Sequence, residues 1–241
     1  MRFDDPALVR REYASEERLR ERRRAFTEFV AGPNAEELAF EAVAEASPGR
    51  LLEVGSGLGR FAERLVRELT ADVVAVDLSP RMAELTRGRG IEARVADVQD
   101  LPYADGEFDV VVANWVLYHV PDLDLALREV ARVLRPSGRL VAATFGEDHL
   151  HELWKLLDNV HVAALGFSRE SASESLLRRF ASVERRDADG VTVFPDRASV
   201  RRYVAATISG SHLAERVDGA FASESFRARS VQAVFVAEQP L

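Results

Sequence analysis

A short apolar run that stops at a glycine cluster and resumes as an amphipathic helix constrains this chain more than any other feature. Leu51-Leu52-Glu53-Val54 is followed by Gly55-Ser56-Gly57-Leu58-Gly59, after which Phe61, Leu65 and Leu69 recur at helical spacing. Glycines at such a turn let the backbone bend sharply and let a ligand approach without meeting a Cβ. The helix behind them offers free N–H groups to a polar or anionic ligand group. Val73-Val74-Ala75-Val76 reads as a second strand and ends at Asp77. A carboxylate there is placed to accept hydrogen bonds from ribose hydroxyls. Together these features predict a nucleoside-containing ligand; a tight turn and nothing more is the plainer alternative.

The same rhythm continues. Ser79-Pro80 opens a helix with serine at the cap and proline in the first turn. Strands are predicted over residues 91–95, 108–113 and 139–145, and a helix over 122–134 closed by Arg135-Pro136-Ser137-Gly138. Alternating strands and helices predict a parallel sheet covered on both faces, and the strands lack polar alternation, as burial on two faces requires. Asp77 and Asp97 end neighbouring strands, so both carboxylates reach one crevice at the carboxyl edge of the sheet.

Residues 14–46 read as helical, broken near Gly32-Pro33-Asn34. Beyond Phe145 helices are expected over 149–162 and 170–180, and strand-like residues over 183–194 around Ala188-Asp189-Gly190. Residues 195–225 read as mostly helical, and 231–236 as a last β run that suggests an antiparallel edge. A single α/β domain is the expectation: a mostly parallel seven-stranded sheet with helices on both faces. Residues 1–46 would form a helical lid, 47–145 the ligand-binding core, and 146–241 further lid helices and the C-terminal strands.

Charge and composition narrow the partners. The net charge of −8 disfavours a broad grip on nucleic acid, which needs a basic face. One basic stretch, Arg18, Arg20, Arg22, Arg23 and Arg24, is interleaved with Glu16, Glu17, Glu21 and Glu28 and reads as a solvated helix with i,i+4 pairs. There is no cysteine, which excludes disulfides, zinc–thiolate sites and cysteine nucleophiles. No apolar run approaches the roughly 20 residues of a membrane-spanning helix, and the N-terminus lacks a signal-peptide pattern. A cytoplasmic protein that does not engage membranes or nucleic acid, as a monomer or homodimer, is expected.

A dinucleotide fingerprint requires Gly-x-Gly-x-x-Gly, with its last glycine admitting the helix close to the strand. Here the third glycine comes one residue early and Arg60 fills the expected slot. The Gly-x-Gly-x-Gly loop instead resembles that of class I S-adenosylmethionine-dependent methyltransferases, a Rossmann-like fold. The resemblance extends through Ala96-Asp97-Val98, the stretch from Leu101-Pro102-Tyr103 to Phe108-Asp109, residues 114–121, and Leu134-Arg135-Pro136-Ser137-Gly138. It spans about residues 51–145 and is nearest to the branch containing the ubiquinone and menaquinone biosynthesis methyltransferases. The resemblance implies S-adenosylmethionine as methyl donor and a small-molecule acceptor with an O, N or C nucleophile. It further implies that Gly55, Ser56, Gly57 and Gly59 line the methionine and ribose portion and that Glu53 helps hold the amino group. Asp77 would bind the ribose hydroxyls, Leu78 and Met82 would pack on adenine, and Asp97 with the Val98 backbone would read the ring. Asn114 would lie near the sulfonium. Arg60 departs from the branch's usual smaller residue; a solvated side chain is expected, with the cofactor carboxylate as the alternative partner.

For the acceptor side, Tyr118-His119 follows the fourth strand, and His119 is a candidate general base for a protonated acceptor, or else a packing residue. Tyr13 is either part of the lid over the cofactor or a surface tyrosine. Trp115 and Trp154, with Tyr118, are candidate pocket walls; the tryptophans could equally be core. Glu147-Asp148-His149-Leu150-His151-Glu152 is rich in metal-ligand types, but its histidines at i,i+2 diverge on a helix, so no metal is expected. His161 and His212 stand alone and read as structural or solvated. Two further readings compete with methyl transfer: a binding protein for the same cofactor without catalysis, and an NAD(P)-dependent dehydrogenase. The latter is disfavoured by Arg60 and by the lack of a Tyr-x-x-x-Lys pair.

Overall fold

The computed structural model describes residues 3–158, 165–208, 210–221 and 225–241. Its first part runs α1 (Pro6–Glu12), α2 (Glu17–Thr27), β1 (Val30–Ala31), α3 (Ala35–Glu45), β2 (Arg50–Val54), α4 (Arg60–Glu68), β3 (Asp72–Asp77), α5 (Pro80–Arg87), β4 (Glu92–Val95) and β5 (Phe108–Asn114). It continues with α6 (Leu123–Val133), β6 (Leu134–Phe145), α7 (His151–Leu156), α8 (Ala172–Leu177), β7 (Phe180–Asp187), β8 (Gly190–Phe194), α9 (Arg197–Ala206), α10 (Val217–Ala220), β9 (Phe226–Ser230) and β10 (Gln232–Pro240).

Caps set several of these boundaries. The Asn34, Ser79 and Asp122 side chains accept from the backbone N–H groups of Glu36, Met82 and Leu125, which fixes the starts of α3, α5 and α6. Seven strands form the main sheet in the order β4-β3-β2-β5-β6-β10-β7. The first five are parallel, and β10 pairs antiparallel with both β6 and the edge strand β7.

Period-two alternation divides each central strand between two cores. Leu52, Val54, Val74, Val76 and Val111 face one apolar cluster with α6 and α8, whereas Leu51, Val73, Ala75, Val110 and Val112 face another with α3 and α4. Burying each such Val or Leu contributes about 1.5–3 kcal/mol, which makes this sheet the rigid part of the molecule. Because α3 packs Ala35, Ala39, Ala42 and Val43 into that second core, only the described residues before α3, out of the 1–46 expected as a lid, lie outside the sheet layers.

Other differences from expectation are local. A small second sheet, β1-β8-β9, supports a third apolar cluster built around α7, α9 and Phe194. The helix expected from 149 begins at His151, because Leu150 sits in the left-handed region (φ 55°), and residues 159–162 of that expectation lie outside the described residues. Residues 135–138, expected as a helix stop, are already part of β6, with the register slipping between Phe108 and Val110. Among the described residues no helix is long and apolar enough to cross a membrane.

Candidate active site

The glycine turn forms because β2 ends beside β3. The Gly55 and Ser56 N–H groups both donate to the Val76 carbonyl, at 2.8 and 3.2 Å, curling the chain over the end of the sheet. Gly55 has φ +70°, and a Cβ there would lie 2.5 Å from Val116. Asp77, at the end of β3, accepts from the Gly57 N–H at 2.9 Å and the Ser79 N–H at 2.8 Å, which fixes its carboxylate against the turn. Burial pushes this carboxyl up to about 6 despite those two donors.

A cavity of about 380 Å³ opens at this carboxyl edge, within the roughly 300–1,000 Å³ of small-molecule sites. Of the residues that the sequence assigned to a cofactor, Glu53, Gly55, Ser56, Gly57, Asp77, Leu78, Asp97, Val98 and Asn114 line it. Two expected residues do not. Met82 is fully buried in α5 and makes no part of the wall. Gly59 faces away: at φ +69° it starts α4, and a Cβ would lie 2.9 Å from the Thr86 Cα, so this glycine lets α4 approach α5. Arg60 is exposed and off the cavity, in line with a solvated side chain. Asp97 accepts from the Gln99 N–H at 2.9 Å and from its side-chain amide, so its orientation is set locally while it borders the cavity.

The N-terminal segment closes the other side. Tyr13 is no surface tyrosine: its hydroxyl lies 2.8 Å from His119 Nε2, and its carbonyl accepts from Ser79 Oγ at 2.7 Å. Arg81 on α5 holds Glu16 through two contacts of 2.9–3.0 Å. His119 Nδ1 lies 2.9 Å from the Phe3 carbonyl, which can only accept, so Nδ1 carries the proton and Nε2 accepts from Tyr13. Both ring nitrogens are therefore engaged, and burial pushes the imidazole down to about 4. The sequence-based role of His119 as a base acting directly on the acceptor does not fit this geometry.

The arginine-rich helix departs furthest from expectation. Arg20 and Arg24 make the anticipated surface pairs with Glu16 and with Glu21 and Glu28. Arg18 and Arg22 instead converge on Glu12, which is 5% exposed, and donate to the Thr207 and Ala206 carbonyls at the end of α9. Arg22 also lies over the Tyr13 ring, and Arg23 pairs with Glu36; both arginines line the cavity. The sequence carried a trace of this face: Leu19 and Phe26 are apolar in a mostly charged helix, and both line the cavity as well.

Trp115, Tyr118 and Trp154 line the cavity with Phe26, Phe145 and Tyr203. Trp115 is held by a 3.1 Å bond from its indole N–H to Gln232. In the 147–152 stretch Asp148 pairs with Arg229, Glu152 accepts from the Arg229 N–H, and His149 turns to the cavity. Among the described residues no group of three metal-ligand types converges. His212 is exposed, and His161 lies outside the described residues.

Unsatisfied polar atoms locate the chemistry. Ten buried side-chain nitrogens and oxygens have no partner among the described residues, and six of them belong to five residues that line this one cavity: Arg22, Arg23, Glu53, Asn114 and His149. Buried polar atoms are almost always paired, so such a concentration marks a place built for a polar ligand. Burial pushes Glu53 up to about 8, with the nearby Arg23 guanidinium pulling it the other way.

Residues 52–142 match a family model described as a methyltransferase domain. The chain is 37% identical over 158 residues to a malonyl-[acyl-carrier protein] O-methyltransferase of Halorhodospira halophila, covering 63% of this chain and 47% of that protein. It is 39% identical over 102 residues to a ubiquinone biosynthesis O-methyltransferase of Xanthomonas oryzae pv. oryzae, covering 39% of this chain and 42% of the relative. The chain thus spans about half the length of the curated relatives it matches. Among solved structures, a phosphoethanolamine N-methyltransferase of Haemonchus contortus, in complex with phosphomonomethylethanolamine and S-adenosylhomocysteine, superposes with a TM-score of 0.64. The identity is 16%, over 99% of this chain and 60% of that one, so it speaks for the fold alone. Sheet order, glycine turn and family match agree: the chain carries a class I S-adenosylmethionine-dependent methyltransferase domain, related to the branch of the ubiquinone biosynthesis methyltransferases.

Proposed function

We propose that this protein transfers the methyl group of S-adenosylmethionine to a small-molecule acceptor enclosed between the sheet edge and the N-terminal segment. The observation that carries the reading is the gathering of unpartnered polar atoms around one cavity at the glycine turn. The donor set fits the cofactor. Asp77 keeps lone pairs for two ribose hydroxyls while its other bonds hold it in place. Glu53 Oε2 and Arg23 Nε, both unpartnered, suit an amino group and a carboxylate respectively. Leu78 and Val98 supply apolar surface for the adenine, and Asp97 an acceptor for its amino group. Asn114 offers both ends of its amide at the end of β5.

When bound, S-adenosylmethionine supplies a methyl group already activated on sulfur. What remains for the protein is alignment and exclusion of water, which can supply roughly 7–11 kcal/mol of the barrier. Tyr13, fixed by His119 and Ser79, closes the cavity, so His119 acts as a positioning residue for the lid. The enclosed volume and the net charge of −8 favour a small acceptor over nucleic acid.

Calorimetry on the whole chain tests this reading. S-adenosylhomocysteine should bind and NADH should not, and label from methyl-tritiated S-adenosylmethionine should appear in a small molecule. Binding of NADH in its place would point to the dehydrogenase reading; binding without any transfer would point to a non-catalytic protein.

A further inference from the structure

The acceptor side of the cavity has an unbalanced hydrogen-bond inventory. Arg22 Nη2 is a buried donor without an acceptor. Its neighbourhood is net positive, because Arg18 and Arg22 share the single carboxylate of Glu12. His149 supplies a second orphan. Its Nδ1 lies 3.1 Å from both the N–H and the carbonyl of Val231. That carbonyl already accepts from the Gly146 N–H at 2.9 Å, whereas the Val231 N–H has Nδ1 as its acceptor. The arrangement that leaves no N–H facing another N–H puts the lone pair on Nδ1 and the proton on Nε2. The unpartnered Nε2 is then a donor as well. His119 has both nitrogens engaged and cannot serve as a base here, while Glu147 and His151 line the cavity as well.

The surroundings of both donors are aromatic. Phe26, four residues from Arg22 on α2, packs at 5.5 Å from His149, and Phe145 at 4.5 Å. Tyr118 and Tyr203 complete the walls. Two orphan donors, one of them a guanidinium, suit an oxygen acid that arrives ionised.

We infer that the acceptor is a small carboxylate with an apolar body, held by Arg22 and His149, and that the product is its methyl ester. This rests on the methyltransferase reading above. One carboxylate oxygen forms the new bond to the methyl carbon with its own electron pair. The carbon–sulfur bond breaks, its pair stays on sulfur as a neutral thioether, and no proton moves. The negative charge of the acceptor and the positive charge of the sulfonium are lost together.

The test uses the full chain with methyl-tritiated S-adenosylmethionine and a small-molecule extract of bacterial cells. Methyl esters release methanol in base, whereas ethers and methylamines do not. Most of the transferred label should be volatile after alkali; base-stable label, or no transfer, overturns the inference. A second arm reads binding without turnover: titration of phenylacetate and phenylacetamide into the protein saturated with S-adenosylhomocysteine. The carboxylate should bind about tenfold more tightly or better, the worth of one charge-assisted hydrogen bond. Arg22→Gln should abolish that preference and His149→Leu reduce it, with S-adenosylhomocysteine affinity retained in at least the second variant, whose side chain makes no ion pair. Equal affinity for the two probes overturns the inference while leaving the cofactor reading standing. Failure of S-adenosylhomocysteine to bind the unaltered chain takes down both.

Discussion

The two walls of the cavity are built by different means. The sheet-edge wall is made by consecutive residues of parallel strands: backbone bonds place Glu53, Asp77 and Asn114, and each side chain follows from where its strand stops. The N-terminal wall is made by side chains from remote parts of the chain, Glu12 with Arg18 and Arg22, these with the last carbonyls of α9, Tyr13 with His119. A wall of the first kind tolerates loss of one side chain in its shape but not in its ligand. A wall of the second kind loses shape when one ion goes.

Asp77→Ala gives the sharpest case of the first kind and the largest expected effect. Two charge-assisted hydrogen bonds to ribose at about 1.5–3 kcal/mol each imply a loss of roughly two to four orders of magnitude in S-adenosylhomocysteine affinity. Circular dichroism should show an intact fold, since the strands are held by the sheet. Undiminished affinity would remove Asp77 from the site.

Glu12→Ala tests the second kind. Removing the shared carboxylate strands the largely buried Arg22 beside Arg18. The cost should be about 3 kcal/mol, the low end for a broken buried pair, because Arg18 is 40% exposed and keeps access to water. Limited proteolysis should then cut within residues 3–27 while the rest of the chain resists. A variant as resistant as the parent would show that the N-terminal segment does not depend on this cluster.

Gly59→Ala separates packing from ligand binding within the glycine turn itself. A left-handed φ and a close approach to Thr86 make alanine cost about 1–3 kcal/mol, lowering Tm by several degrees. Cofactor affinity measured well below Tm should barely change, because Gly59 does not line the cavity. The reverse outcome would restore it to the binding surface.

The same contrast explains what could be read in advance. Strand ends, the glycine turn and the cap residue Ser79 are local in sequence, so the parallel sheet and the residues that line the cavity at its edge were legible. Arg22 and Glu12 were not, because their partner relation spans a turn between helices and the arginine face is buried only by α9, far along the chain. Interleaved acidic and basic residues look alike whether the helix is solvated or clamped. His149 was obscured for a similar reason: within its acidic stretch it reads as one of several metal-ligand types, and only Leu150's left-handed turn and the Val231 backbone aim it inward. Gly59 and Met82 were assigned to the ligand by resemblance although their neighbours are helix and core.

The last expected effect concerns a carboxyl on the legible wall and depends on pH. Glu53 is buried and rises from an ordinary 4.5 to about 8. Below pH 4.5 it is protonated whether the chain is folded or not, and it costs nothing. Between 4.5 and about 8 the folded chain keeps a proton that the unfolded chain releases, so stability falls as pH rises; above 8 the penalty is complete. Glu53→Gln removes it. In the absence of cofactor the variant should therefore match the parent in Tm near pH 4, gain on it steadily up to pH 8, and hold a constant lead above that. Each kcal/mol recovered is worth about 2–4 °C in a chain of this size. Affinity for S-adenosylhomocysteine should move the other way at pH 7, as the variant loses the carboxylate proposed to meet the amino group. A variant less stable than its parent at pH 9 would mean that Glu53 is satisfied without a ligand. The sheet-edge wall would then carry no unmet charge of its own.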